Sequence, residues 1–333
     1  MKQKLYVIMA VSLALFLGCT SAPDKQVRQE NPESRLERWA YDFTSLKSNR
    51  IGDRSIKNVK VYLPPSYYTS DKSYPVVYFL HGYNEVPGEL VRSLEFADEA
   101  FSGQDAKEMI IVEPEGSNLY RGSFYVNSPA TGNYEDYIAK ELVALIDSKY
   151  RTIAKKEARG IAGFSMGGFG TLNLALKHPD VFSCVQALGP GVFPNSELTP
   201  AIMRTWDSGF LTAYGIVFSP DMTGEKPKAE IPVLDGSEID NEILARWNKG
   251  FGDWDKKIDD YKSGGISLKA IMIMYGTRDY YPWIREGSEY LHKLLDSYGT
   301  ENTLKTFEGG HLIPHTFLKE DFVPFFSRNL SIN

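Results

Sequence analysis

Residues Gly163-Phe164-Ser165-Met166-Gly167-Gly168 place a serine in the pattern Gly-x-Ser-x-Gly. A short apolar run, Arg159-Gly160-Ile161-Ala162, precedes it. Gly168 to His178 follows, with Leu172, Leu174, Ala175 and Leu176 as its apolar positions. Strand, sharp turn and helix in that order form a nucleophile elbow. The turn strains the serine backbone, and a Cβ at 163 or 167 would meet a neighbouring strand or helix, so both positions take glycine. Ser165 is then presented above the strand end, with a helix N-terminus behind it. The expected chemistry is attack by the serine oxygen on an electrophilic carbon.

A serine hydroxyl needs a base to take its proton and an acid to orient that base. The chain has five His. His81 precedes the serine in another loop, His178 ends the elbow helix and His292 sits mid-helix. His311 and His315 remain. His311 follows Gly309-Gly310, a turn that lets the imidazole reach the serine, and it is the favoured base. His315 follows Pro314 and fits a helix start. The acid should follow the preceding strand. Lys269 to Tyr275 ends in Gly276-Thr277-Arg278-Asp279, which puts Asp279 just past a strand end, where ligands gather in open α/β sheets. Two amides are expected to receive the developing oxyanion: that of Met166, next to the nucleophile, and that of Tyr83 in Leu80-His81-Gly82-Tyr83. His81 is expected to shape this loop without acid–base work.

These groups need a rigid frame, and the hydrophobic pattern predicts one. Val76 to Leu80, Met109 to Val112, Phe182 to Leu188 and Lys269 to Tyr275 are apolar runs of the kind buried on both faces. Lys57 to Leu63 alternates and reads as an edge-type strand, and Asn302 to Phe307 as a last strand. Residues 133–149, Arg285 to Tyr298 and the tail from Pro314 to Phe326 read as helices. The expected fold class is α/β, a mostly parallel central sheet with helices on both faces. Residues 191–265 break the rhythm with Trp206, Trp247, Trp254 and many acids, and read as a cap or insertion over the site.

The chain has 333 residues, net charge −6 and 42% hydrophobic residues. That supports a large core and gives no basis for nucleic-acid binding. Residues 1–19 carry Lys2 and Lys4, then the apolar Leu5 to Leu17, too short to span a bilayer comfortably, then Gly18-Cys19. They resemble a bacterial lipoprotein signal in which Cys19 is lipidated, with Phe16 in place of the usual Leu. An ordinary secretory signal is the alternative. On this reading residues 20–40 are a polar tether, 41–333 the folded domain, and the location is the cell envelope, facing the periplasm or cell surface, with the membrane as partner. Cys184, in an apolar run, is expected in the core. No cofactor and no metal are expected: Asp253, Asp255, Asp259 and Asp260 lack a ligand-loop pattern.

Tyr78-Phe79-Leu80-His81-Gly82, Gly122-Ser123-Phe124-Tyr125-Val126-Asn127-Ser128, Gly163 to Gly168, Tyr275-Gly276-Thr277-Arg278-Asp279 and Gly309-Gly310-His311 together resemble the esterase D-like, feruloyl esterase-like branch of the α/β-hydrolases. The resemblance covers residues 55–190 and 266–325. It implies the α/β-hydrolase fold, Ser165 as nucleophile, Asp279 as acid, His311 as base and no metal. The long segment 191–265 departs from the family pattern. Phe124, Tyr125, Tyr280, Tyr281 and Trp283 fall in loops expected near the site, where aromatic faces suit sugar rings or an aromatic acyl group. The expected substrate is a small-molecule or polysaccharide ester, such as a feruloyl or acetyl ester. Acyl transfer of the mycolyltransferase type, and a lipid-anchored binding protein on a retired hydrolase fold, are the competing readings.

Overall fold

The computed structural model describes residues 35–332. Cys19 and the signal-like segment lie outside them. Eight strands form one sheet: β1 Leu36–Asp42, β2 Ile56–Tyr62, β3 Val76–Leu80, β4 Ile110–Pro114, β5 Arg159–Phe164, β6 Cys184–Leu188, β7 Ala270–Gly276 and β8 Thr303–Phe307. Their order across the sheet is β1-β2-β4-β3-β5-β6-β7-β8. β2 is antiparallel to both neighbours, and the six strands from β4 to β8 are parallel.

Alternation along the strands sends side chains into two cores. Val76, Tyr78 and Leu80 enter one, whereas Val77 and Phe79 enter the other. The first core takes the elbow helix α1 (Met166–Lys177), and the second takes helix Leu94–Ala100 and the C-terminal helix Val323–Asn329. Burial on both faces is what the continuous apolar runs encode. The helix expected at 133–149 forms as Tyr134–Asp136, a π-helical stretch Tyr137–Leu142 and Val143–Lys149. The tail helix starts later than its pattern indicates, as a π turn over Leu318–Phe322 continued by Val323–Asn329.

Two expectations need correction at the N-terminal edge. The segment 20–40 is not wholly a tether, because β1 begins at Leu36. Trp39 is buried, and its indole N–H donates to the Tyr150 hydroxyl at 2.9 Å. That hydroxyl donates in turn to Glu37 at 2.7 Å. β2 is consequently an interior strand, and β1 is the edge.

Between β6 and β7 the chain rises over the C-terminal ends of the strands. This excursion contains Pro200–Met203, α2 (Ser208–Phe218), a two-residue-per-strand hairpin Pro220–Asp221 and Lys228–Ala229, and α3 (Glu238–Asn248). It returns through α4 (Trp254–Ser263), which packs on α1. Its two ends meet at a neck. The Phe193 N–H donates to the Phe251 carbonyl at 2.7 Å, the Leu198 N–H to Asn248 at 3.1 Å, and the Trp254 N–H to Ser196 at 3.0 Å. Lys257 reinforces the return, donating to the carbonyls of Lys249, Gly250 and Gly252 with its ammonium 4.9 Å from the Trp254 ring. After β7, α5 (Pro282–Ser297) completes the frame. No helix among the described residues is long and apolar enough to cross a membrane.

Candidate active site

β5 delivers Ser165 at its C-terminal end. The serine has φ 55° and ψ −114°, a conformation L-residues rarely adopt. The elbow is too tight for side chains on its flanks. A Cβ on Gly163 would lie 2.4 Å from the Gly167 carbonyl oxygen, and one on Gly167 would lie 2.0 Å from that of Leu80. The Ser165 N–H donates to Leu188 O at 2.9 Å, which fixes the turn to β6.

The loops after β7 and β8 bring the other two groups. The Thr277 N–H donates to Phe307 O at 2.9 Å and the Arg278 N–H to Gly309 O at 2.8 Å, so the two loops form one unit. A Cβ on Gly276 would sit 2.4 Å from Gly310 O. In this unit His311 Nδ1 is 2.7 Å from Asp279 Oδ2, and His311 Nε2 is 2.9 Å from Ser165 Oγ. The carboxylate accepts from Nδ1–H, which leaves Nε2 to accept from the serine hydroxyl. Asp279 Oδ1 accepts the Tyr281 N–H at 2.9 Å, so both carboxylate oxygens are engaged. The imidazole lies among the rings of Phe164, Tyr280 and Tyr281, with centroids 4.8, 5.8 and 5.4 Å away. The arrangement can move a proton from the serine oxygen to the imidazole while the carboxylate balances the resulting charge.

The amides of Tyr83 and Met166 border the same cleft, and neither has a hydrogen-bond acceptor among the described residues. The two polar groups of Gly82, just before Tyr83, are by contrast both held. Gly116 N–H donates to His81 Nε2 at 2.8 Å, so the proton of the neutral ring is on Nδ1, which donates to Gly82 O at 2.8 Å. Burial pushes the His81 imidazole down to about 4, so it stays neutral at physiological pH. The Gly82 N–H donates to the Glu85 carboxylate at 2.6 Å. Burial raises the Glu85 carboxyl above its ordinary range. The other histidines are engaged elsewhere: His178 with Glu135, His292 with Asn302, and His315 against Phe96.

The cleft has a volume of about 680 Å³. Tyr280 and Trp283 line it, as the sequence indicates, together with Tyr281. Phe124 and Tyr125 do not. Both are fully buried, and both have positive φ, 52° and 54°, which turns their rings beneath the site. Phe124 packs against Phe210, Tyr214, Phe218 and Phe251. The excursion supplies the lining that the motifs do not reveal: Trp206, Asp207, Phe210 and Phe251. Glu85 and Arg121 add charged groups to this lining. The described residues contain no cluster of His, Cys, Asp and Glu able to hold a metal ion.

The model of the family described as "Putative esterase" matches residues 48–312. The chain belongs to that family. It is 32% identical over 169 residues to Esterase Rv1288 of Mycobacterium tuberculosis, a match spanning 50% of this chain and 35% of that protein. The chain thus spans about a third of the length of the first curated relatives it matches. Among solved structures it superposes on a ferulic acid esterase with a TM-score of 0.62 and 22% identity, covering 89% of this chain and 98% of that one. It also superposes on fluorophosphonate-binding serine hydrolase F of Staphylococcus aureus with a TM-score of 0.60 and 16% identity, covering 89% and 98%. The fold of this family member is that of the α/β-hydrolase esterases.

Proposed function

We propose that this family member is a serine carboxylic-ester hydrolase. The observation that carries the reading is the hydrogen-bonded series Ser165 Oγ, His311, Asp279 at 2.9 and 2.7 Å, beneath an open cleft. Ser165 Oγ attacks the ester carbonyl carbon as His311 Nε2 takes its proton, and Asp279 stabilises the imidazolium. The carbonyl oxygen, now negative, accepts from the N–H groups of Tyr83 and Met166. The tetrahedral adduct collapses, the C–O bond to the alcohol breaks, and His311 returns the proton to the leaving oxygen. Water, deprotonated by the same His311, then attacks the acyl-serine. The acid departs and Ser165 regains its proton.

The aromatic lining of the cleft suits an aromatic acyl group or the face of a sugar ring, and its charged groups suit a hydroxyl-rich alcohol. A feruloyl or acetyl ester of a polysaccharide meets both demands. Export through residues 1–19 with lipidation at Cys19 would bring the enzyme to polymeric substrates. Incorporation of labelled fatty acid, lost in Cys19→Ala, tests that part.

Hydrolysis of p-nitrophenyl acetate and butyrate by protein lacking residues 1–19 tests the chemistry. Turnover should fall at least about 10³-fold in Ser165→Ala. Equal rates in both proteins would refute the assignment of the nucleophile. Release of ferulate or acetate from xylan tests the polymer. Cleavage of the small esters without either release removes the polysaccharide and leaves the esterase.

A further inference from the structure

The Gly122 to Ser128 stretch forms no wall of the cleft, yet two of its residues adopt strained backbone in succession. Positive φ in a non-glycine residue costs about 1–3 kcal/mol and persists only where the surroundings enforce it. Of the nine such residues described, Asn84, Phe124, Tyr125 and Ser165 fall in the Tyr83 loop, this stretch and the elbow, and Arg121 directly precedes the stretch. Tyr125 is the most tightly accommodated. A Cβ on Gly116 would lie 2.3 Å from its ring, and one on Gly170 would lie 2.6 Å from it. Ser123 Oγ accepts the Tyr125 N–H at 3.2 Å. The buried hydroxyl at the end of this ring donates to the His81 carbonyl at 3.0 Å.

We propose that Tyr125 is a positioning residue of the oxyanion hole, acting through His81. Its hydroxyl fixes the His81 carbonyl. The next N–H, on Gly82, is fixed by Glu85, and the next carbonyl, on Gly82, by His81 Nδ1–H. The N–H that follows, on Tyr83, has no acceptor among the described residues and faces the cleft. A trans peptide points its N–H opposite to its C=O. With Gly82 O turned to the buried imidazole, the Tyr83 N–H is turned away from it. Gly116 ties the two halves together: its N–H holds the imidazole tautomer, and its missing side chain makes room for the Tyr125 ring. Burial drives the phenol well above its ordinary value, so it remains a donor at any working pH.

This inference rests on the oxyanion role of the Tyr83 amide. Steady-state kinetics of Tyr125→Phe with p-nitrophenyl butyrate test it, with turnover expressed per active site titrated by a fluorophosphonate. Loss of a whole oxyanion donor lowers kcat by about 10²–10³, and misaiming one donor lowers it less. The expected result is a fall in kcat of about 10- to 100-fold, with KM within about 2-fold and a matching loss of affinity for a boronic-acid transition-state analogue. A structural role alone lowers the number of titratable sites and leaves kcat per site unchanged, and that result overturns the proposal. Should Tyr125→Phe fail to fold, 4-fluorophenylalanine introduced at position 125 fills the hydroxyl's space without a donor and should give the same kcat loss. Absence of Ser165-dependent turnover in the wild-type protein is a different result, because it refutes the hydrolase reading and removes the oxyanion with it.

Discussion

The strained backbone at Ser165 predicts a reversal of a common stability order. In most ordered backbone, Gly is less stable than Ala by roughly 0.5–1 kcal/mol, because Gly loses more freedom on folding. Position 165 has φ 55° and ψ −114°, where a Cβ is penalised by about 1–3 kcal/mol. Ser165→Ala and Ser165→Gly both delete the hydroxyl and its hydrogen bond with His311, so their difference isolates the backbone. Relief of the strain outweighs the entropy term, and Ser165→Gly should be more stable than Ser165→Ala by about 1 kcal/mol, with an upper range near ~2 kcal/mol. Urea unfolding of the two proteins under identical reversible conditions measures it, and neither should hydrolyse esters. If Ser165→Ala were the more stable by the ordinary margin, the elbow would not be under strain, and the conformational argument for its glycines would fall with it.

Two further outcomes concern the support of the site. The His81 imidazole is held near 4 by burial, against about 6.5 in the unfolded chain, so the unfolded state binds the extra proton between those values. Its contribution is complete above about pH 6.5 and is lost as pH falls toward 4, by roughly 3 kcal/mol. The His81 carbon resonance should accordingly titrate near 4, and a midpoint near 6.5 would contradict its buried, acceptor-bound ring. Gly167→Ala would set a methyl 2.0 Å from Leu80 O and 2.7 Å from His81 O, both backbone atoms. Overpacking against backbone should destabilise by about 3 kcal/mol or more and displace the Tyr83 loop, read as a lower urea midpoint with a lower kcat.

What could be read from the chain, and what could not, follows from where each signal resides. Ser165 and Asp279 each follow a strand whose apolar run is legible, His311 follows the last strand, and each is next to glycine or a turn. Local pattern and chain order were enough to propose them, and the structure brings them within hydrogen-bonding distance. β1 escaped notice because its seven residues, Leu-Glu-Arg-Trp-Ala-Tyr-Asp, carry little alternation, and its burial depends on Trp39 reaching Tyr150 far along the chain. Calling β2 an edge strand followed from that omission. Phe124 and Tyr125 were misassigned for a conformational reason: two successive positive φ values turn the rings inward, and no residue type at 124 or 125 announces them. Trp206, Phe210 and Phe251 reach the cleft only through the folding of the excursion, whose packing around Tyr214 and Trp247 has no short-range signature.

The neck of that excursion bears on how the protein can be altered. Residues 194–250 leave and rejoin the body at Phe193 and Phe251, which are already hydrogen-bonded to one another. A segment with adjoining ends can be lengthened, shortened or exchanged without moving the strands that carry the serine, the aspartate and the histidine. The strand ends that carry these three residues and the segment that lines much of the cleft are thereby separable parts of the chain. An engineer can graft a different crown onto the same neck and leave Ser165, Asp279 and His311 where they stand.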